Sequence, residues 1–157
     1  MFKRLSLCAL LCLPAGVSHA EGVLKRFYCV VRSVDSASGF TCERYRQPPG
    51  SYRIERSAVR VTLLAYQPPA AAHPLAAQAA STLARMLLLQ QVGVEVFAID
   101  RLGRAQARVR LFRADVTAVL LDRGLGRVDR EHYGAYYYMP LERAARSARR
   151  GIWAAAS

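Results

Sequence analysis

The sequence predicts a small α+β domain, mainly β: a five-stranded barrel of the OB type with three helices. Three observations carry this. Five segments read as strands, two of them by clear two-residue alternation, three before a helical segment and two after it. The segments are short and end at Pro- or Gly-containing turns. A closed barrel lets so few strands avoid exposed edges, and helices can cap its ends.

Before the domain comes a leader. Met1-Phe2-Lys3-Arg4 is a short positive start, Leu5 to Leu13 is apolar, and Pro14-Ala15-Gly16 and Ser18-His19-Ala20 resemble the end of a signal peptide. The apolar run is too short for a stable spanning helix. Residues 1–20 are therefore expected to be a cleavable signal peptide and residues 21–157 a single domain, periplasmic or secreted. Cys8 and Cys12 would leave with the leader. No later stretch is apolar for long enough to cross a bilayer.

Phe27–Val34 is β-branched and aromatic and reads as the first strand. Gly39–Tyr45 is its hairpin partner across Asp35-Ser36-Ala37-Ser38, and Gln47-Pro48-Pro49-Gly50 ends it. Cys29 and Cys42 sit in that hairpin. An even cysteine count in an exported chain reads as a disulfide, and without a Cys-x-x-Cys or a nearby His a metal pair is disfavoured. Ala58–Tyr66 alternates, with Val59, Val61, Leu63 and Ala65 on one face and Arg60, Thr62, Leu64 and Tyr66 on the other. Gln67-Pro68-Pro69 stops it.

Pro74 opens a helix predicted to reach Gln90, with Leu75, Ala79, Leu83 and Leu87 as its buried stripe. His73 precedes it as a capping or surface residue. Val92–Ile99 and Ala105–Arg113 are the last two strands, joined by the turn at Asp100–Arg104. Ala107, Val109 and Leu111 oppose Arg108 and Arg110. Asp115 caps a helix over Val116–Arg123, and Gly124 suits its left-handed exit. A final helix starts near Pro140, with Leu141, Ala144 or Ala145, Ala148 and Ile152 on one face and Arg143, Arg146, Arg149 and Arg150 on the other. Glu142 is set to pair with Arg146.

The formal net charge is +12, of which Lys3 and Arg4 contribute two, leaving ten on residues 21–157. Lys25 is the only lysine there. Guanidinium forks match phosphate oxygens in pairs, so nucleic acid or another polyanion is the expected partner class. Charge alone does not choose among polyanions. There is no Gly-rich phosphate loop, nucleophile elbow or zinc pattern.

Three segments carry a resemblance. Asp100-Arg101-Leu102-Gly103-Arg104 is similar to a D-[RK]-Y-G-R turn. Asp115 to Gly126 is similar to V-N-x-x-L-V-x-x-G-x-A. Leu141 to Arg146, running to Gly151-Ile152-Trp153, is similar to a closing helix ending in G-[IL]-W. In this order they resemble the staphylococcal nuclease-like (thermonuclease) domain family across nearly all of residues 21–157. The resemblance implies a nuclease with a calcium site, two phosphate-binding arginines and a glutamate that assists the attacking water.

The same resemblance shows what is missing. Against the family's D-G-D-T element, Gly39 and Thr41 match and Phe40 stands at a calcium-binding Asp. Against R-L-x-G-[IV]-D-[TA]-P-E, with Pro68 at the proline, Tyr66 stands at the second calcium Asp, Pro69 at the glutamate and Val61 at the first arginine. Arg60 is adjacent, one residue out of phase. Arg104 keeps the second arginine and is the one retained catalytic position. Calcium needs several oxygens, carboxylates among them, so the expectation is no cofactor and no calcium-dependent hydrolysis. The expected nucleic-acid-binding residues are Arg60, Arg104, Arg108, Arg110, Tyr136 and Tyr137. Tyr133 and Tyr136–Tyr138 form an aromatic cluster in a loop, suited to base stacking or to packing. Arg130 and His132 fall where the family has tyrosines. Two other functions stay open: a divergent phosphodiesterase using Arg104 and a relocated Asp35, and a structural module binding an envelope protein through the tyrosines.

Overall fold

The computed structural model describes residues 22–132 and 134–154. The expected leader with Cys8 and Cys12, and Tyr133, lie outside the described residues. Five long strands form the barrel: β1 (Lys25–Val34), β2 (Gly39–Arg46), β3 (Glu55–Leu63), β5 (Gln91–Ile99) and β6 (Ala105–Leu111). They are hydrogen-bonded in the order β3-β2-β1-β5-β6, and a parallel β3–β6 pairing at Val61↔Ala105 closes the ring. Short strands β4 (Tyr66–Gln67) and β8 (Arg127–Val128) pair with each other, and β7 (Ala114–Asp115) adds to β6.

Register shifts between Val31 and Ser33 and between Val96 and Ala98 mark bulges in β1 and β5. Bulges tighten local twist, which bends a flat ladder into a small barrel. Inward rows from every strand fill it: Val31, Phe40, Cys42, Val61, Val94 and Val109 are among its buried side chains. Cys29 and Cys42 are joined by a disulfide with Cα atoms 5.7 Å apart, both buried. Such a link restricts the unfolded chain and stabilises the hairpin by roughly 3 kcal/mol.

Two strand readings need correction. β3 ends at Leu63, because Ala65 adopts a left-handed φ of +51°. That residue rotates the chain, so Leu64, Ala65 and Tyr66 are all buried and do not continue the alternation. β6 likewise ends at Leu111, before Phe112 at φ +54°.

Helix α1 (Ala76–Leu87) buries Ala79, Leu83 and Leu87 as its spacing predicts. The Leu75 N–H donates to Nδ1 of His73 at 3.1 Å, just before the helix. Helix α2 (Val116–Asp122) is capped by Asp115, whose side chain accepts from the Ala118 N–H, and it exits at Gly124 with φ +67°. Helix α3 (Ala135–Ser147) starts earlier than predicted and holds Pro140 inside it. A proline there removes one intrahelical bond; burial of Ala135, Tyr138, Glu142 and Ala145 anchors both sides of the gap. Glu142 is thus an interior carboxylate. It accepts from the Val128 N–H at 3.3 Å and lies 3.7 Å from Arg130 and 3.6 Å from Arg146.

A 3-10 turn (Gly151–Trp153) closes the chain against the α2 exit, with Ile152 N–H donating to the Gly124 carbonyl at 2.8 Å. A Cβ on Gly124 would lie 2.1 Å from the Arg150 carbonyl oxygen, so glycine alone permits the approach. Trp153 lies under the guanidiniums of Arg127 and Arg146, at 5.0 and 4.2 Å. Among the described residues, no helix is long and apolar enough to cross a membrane.

Candidate nucleic-acid interface

The β1–β2 turn, β3 and the Asp100–Arg104 turn enclose a cleft of about 410 Å³, lined by Asp35, Gly39, Thr41, Arg60, Val61 and Arg104 among others. The β1–β2 turn is held by Asp35. Its N–H donates to the Gly39 carbonyl at 2.9 Å, and its carboxylate accepts from Ser33 Oγ at 2.7 Å and Thr41 Oγ1 at 2.8 Å. Both Asp35 oxygens are therefore engaged by neighbouring hydroxyls.

The other wall is the Asp100–Arg104 turn. Gly103 takes φ +72°, the conformation that lets the turn reverse. Asp100 accepts from the backbone N–H groups of Arg104 and Leu102, each at 2.9 Å, and from Arg104 Nε at 2.6 Å. These contacts, led by the Arg104 N–H, hold the Asp100 carboxyl below its ordinary pKa. Arg104 stands at the cleft with its charge partly answered by its own turn.

Arg60 and Val61 divide as strand geometry requires. Val61 is buried in the barrel and Arg60 is exposed. Arg60 nonetheless reaches the cleft, donating from Nη2 to the Leu102 carbonyl at 2.9 Å. It lies beside Arg104 because β3 and β6 pair in parallel, with Val61 opposite Ala105.

Along β6, residues at a two-residue step share the outer face. Gln106, Arg108 and Arg110 follow Arg104 there, spanning roughly 20 Å at about 3.3 Å per residue. Gln106 meets His132, Oε1 to Nε2, at 3.2 Å. Burial pushes the His132 pKa down. Arg108 is half-buried, 3.6 Å from both Glu95 and Asp115, with its guanidinium 5.5 Å from the Phe97 ring and 5.2 Å from the Tyr137 ring. It is not the freely solvated residue that its strand position suggests. Arg110 is exposed and has no carboxylate partner among the described residues.

Tyr136, Tyr137 and Tyr138 belong to the first turn of α3, not to a loop. Tyr138 is buried and donates to Asp115 Oδ2 at 2.8 Å; burial, and then the Asp115 charge, raise its pKa. Tyr136 and Tyr137 are exposed, their ring centroids 3.9 Å apart. Arg60 and Arg104 thus line one cleft, Arg108 meets Tyr137, Tyr136 stacks on Tyr137, and Arg110 continues the outward row of β6 without touching the others.

Phe40 and Tyr66 are placed differently. Phe40 is fully buried in the barrel. Tyr66 is buried, and its hydroxyl donates to the Leu125 carbonyl at 2.6 Å; burial raises its pKa. Its ring lies against Gly126, where a Cβ would come 2.4 Å from Tyr66 Cε2. Gly126 is the position of the alanine in the G-x-A exit described above, so the tyrosine occupies space that an alanine methyl would need. Sequence reasoning missed this pairing; the glycine at 126 was its visible sign. Among the described residues, no three His, Cys, Asp or Glu side chains gather as a metal-binding group.

A family model described as staphylococcal nuclease homologue matches residues 56–155. No curated protein matches the chain.

Proposed function

The chain belongs to the family of staphylococcal nuclease homologues, and on that premise we propose that it binds nucleic acid, single strands above all, without hydrolysing it. The observation that carries this is the outer row of Arg60, Arg104, Arg108 and Arg110 with Tyr137 stacked over Arg108. Guanidiniums follow the phosphate backbone and exposed rings offer a surface for bases. Arg60 and Arg110 supply most of the available charge, since Arg104 and Arg108 already face carboxylates.

The residues at the family's calcium positions do not fit that ion. A buried phenyl ring offers no oxygen, and the Tyr66 hydroxyl stays protonated and committed to a carbonyl. Binding without metal or a positioned base gives the transition state no advantage over the bound substrate. We also assign the protein to an oxidising compartment outside the cytoplasm, a reading that the Cys29–Cys42 disulfide supports.

The test is fluorescence anisotropy with a labelled single-stranded oligonucleotide over a salt series. Affinity is expected to fall with salt, and Arg60→Gln with Arg110→Gln to reduce the slope of log K against log salt by about 0.7 per arginine. Replacing Tyr136 and Tyr137 with Ser is expected to cost about 1–3 kcal/mol per base unstacked. A dissociation constant indifferent to salt would sink the proposal. The hydrolytic alternative draws on Asp35 and Arg104 lining one cleft. DNA cleavage in calcium that disappears in Arg104→Ala would establish it instead.

A further inference from the structure

The opposite end of the β2–β3 hairpin holds a second basic region, unrelated to the row just described. β1 pairs with β2 only as far as Val30↔Glu43, whereas β2 and β3 remain paired to Arg46↔Glu55. The hairpin therefore overhangs the barrel. Along its inward row the side chains change from Phe40 and Cys42 to Arg44 and Arg46. The Arg44 guanidinium sits 5.2 Å from the Phe27 ring, at the barrel end. Beyond it opens a cleft of about 650 Å³ lined by Arg44, Arg46, Arg53 and Arg56, with Glu55 as the one carboxylate in its wall. Arg56 lies over the Tyr45 ring at 5.7 Å. The guanidiniums of Arg46 and Arg53 make no hydrogen bond or ion pair with the described residues.

Arg44 also borders a second, mostly apolar cavity of about 310 Å³ at the barrel end, where Leu24, Lys25, Phe27, Val59 and Ile99 contribute. The surrounding surface is unusually apolar for a charged region. Leu24 is 64% exposed, Ile54 60% and Ile99 58%, and Tyr52 is fully exposed.

Arginines alone would suit any phosphate polymer. Exposed leucine and isoleucine beside them gain nothing from a solvated nucleic-acid backbone. A bilayer interface accommodates both: guanidiniums meet lipid phosphates while aliphatic and tyrosine side chains enter the headgroup–acyl boundary. Charge complementarity selects an anionic leaflet. We propose that this end of the barrel, centred on Arg44, Arg46, Arg53, Tyr52 and Ile54, docks on a membrane surface containing anionic phospholipid. The arginine cleft shares no lining residue with the cleft that holds Arg60 and Arg104, so the two can be altered separately.

The experiment is co-sedimentation of the purified protein, in the processed form in which it is recovered, with vesicles of phosphatidylcholine alone or mixed with phosphatidylglycerol. Sedimentation is expected with the mixed vesicles and not with phosphatidylcholine alone. Arg46→Gln with Arg53→Gln is expected to weaken partitioning roughly 25-fold, about fivefold per arginine. Tyr52→Ser with Ile54→Ser keeps every charge and is expected to weaken it roughly tenfold, leaving oligonucleotide affinity unchanged. All four side chains are exposed, so an unchanged thermal midpoint verifies folding. The proposal is overturned if either double variant sediments like the parent, or if binding ignores phosphatidylglycerol. It is equally overturned if the arginine variant loses oligonucleotide affinity in step with vesicle affinity, which would assign the cleft to nucleic acid.

Discussion

At three positions that are charged in the family pattern stand Phe40 and Val61, in the wall of the cleft, and Tyr66, beside the α2 exit, and all three side chains are buried. On the helical side of the same domain, Gly124 and Gly151-Ile152-Trp153 stand where that pattern has them, and the two backbones touch there. The difference separates two kinds of constraint. A glycine contact between backbones tolerates no substitute, because the clash is with main chain that cannot rotate away. A carboxylate can be replaced, provided the space and the hydrogen-bonding groups it leaves are taken up. Tyr66 does this, filling the volume beside Gly126 and satisfying the Leu125 carbonyl.

The largest effect is therefore expected at the helical contact. In Gly151→Ala the new Cβ would lie 2.1 Å from the Gly124 carbonyl oxygen, on a residue with φ +56°. Overpacking against main chain and left-handed strain together should cost roughly 3 kcal/mol or more, read as a fall in the urea midpoint. A loss under about 1 kcal/mol would mean the contact yields as readily as a surface position, and the contrast with the replaced carboxylate positions would collapse.

The replaced carboxylate position at Tyr66 can be tested by a double-mutant cycle. Gly126→Ala alone puts a methyl into the Tyr66 ring and close to the Gln67 carbonyl, which should cost about 1–3 kcal/mol. In a Tyr66→Leu background the ring atoms are gone, and the same alanine should be far less damaging. A coupling of about 1–2 kcal/mol is expected from urea melts of the four proteins. Strict additivity would show that Tyr66 and Gly126 are independent replacements, with no refilled site between them.

How far the sequence foretold this follows the same division. Barrel strands, the Asp115 cap and the Gly124 exit were legible because each rests on local rules: alternation, an acceptor before a helix, glycine after one. Strand closure was legible only through topology. What escaped involved the third dimension. Leu64 and Tyr66 alternate correctly on paper, yet one left-handed alanine turns both inward. Pro140 looked like a helix start, but buried Tyr138 and Ala135 extend the helix past it. Arg108 read only as an outward strand residue available to nucleic acid, whereas Glu95, Asp115 and two aromatic rings come to it from elements far apart in sequence. At the site, Arg104 was visible through its turn motif and Arg60 only as a neighbour out of phase. The four-arginine cleft went unseen because Arg44 and Arg46 lie on β2, Arg53 in the connection after the Pro-Pro-Gly turn and Arg56 on β3, and only the pairing of the two strands brings them together.

The smallest expected effect lies at the joint between the two regions, where His132 ties the approach to α3 to the outer face of β6. Its Nδ1 accepts from the Gly134 N–H at 3.4 Å, which leaves the ring proton on Nε2, donated to Gln106 Oε1. Burial depresses the His132 pKa, with the Asp129 charge opposing it in part. In the unfolded chain the imidazole titrates near about 6.5. As pH falls through that value the unfolded state takes up a proton that the folded state resists. Stability is thus full above the unfolded pKa and declines below it, toward the lower folded value. Between about pH 7.5 and 5.5, above the ordinary carboxylate range, the parent should lose stability relative to His132→Gln, which cannot titrate. Parallel stability–pH curves for the two proteins would show that His132 ionises as freely when folded as when unfolded. A widening gap on acidification would confirm that the joint depends on a neutral ring.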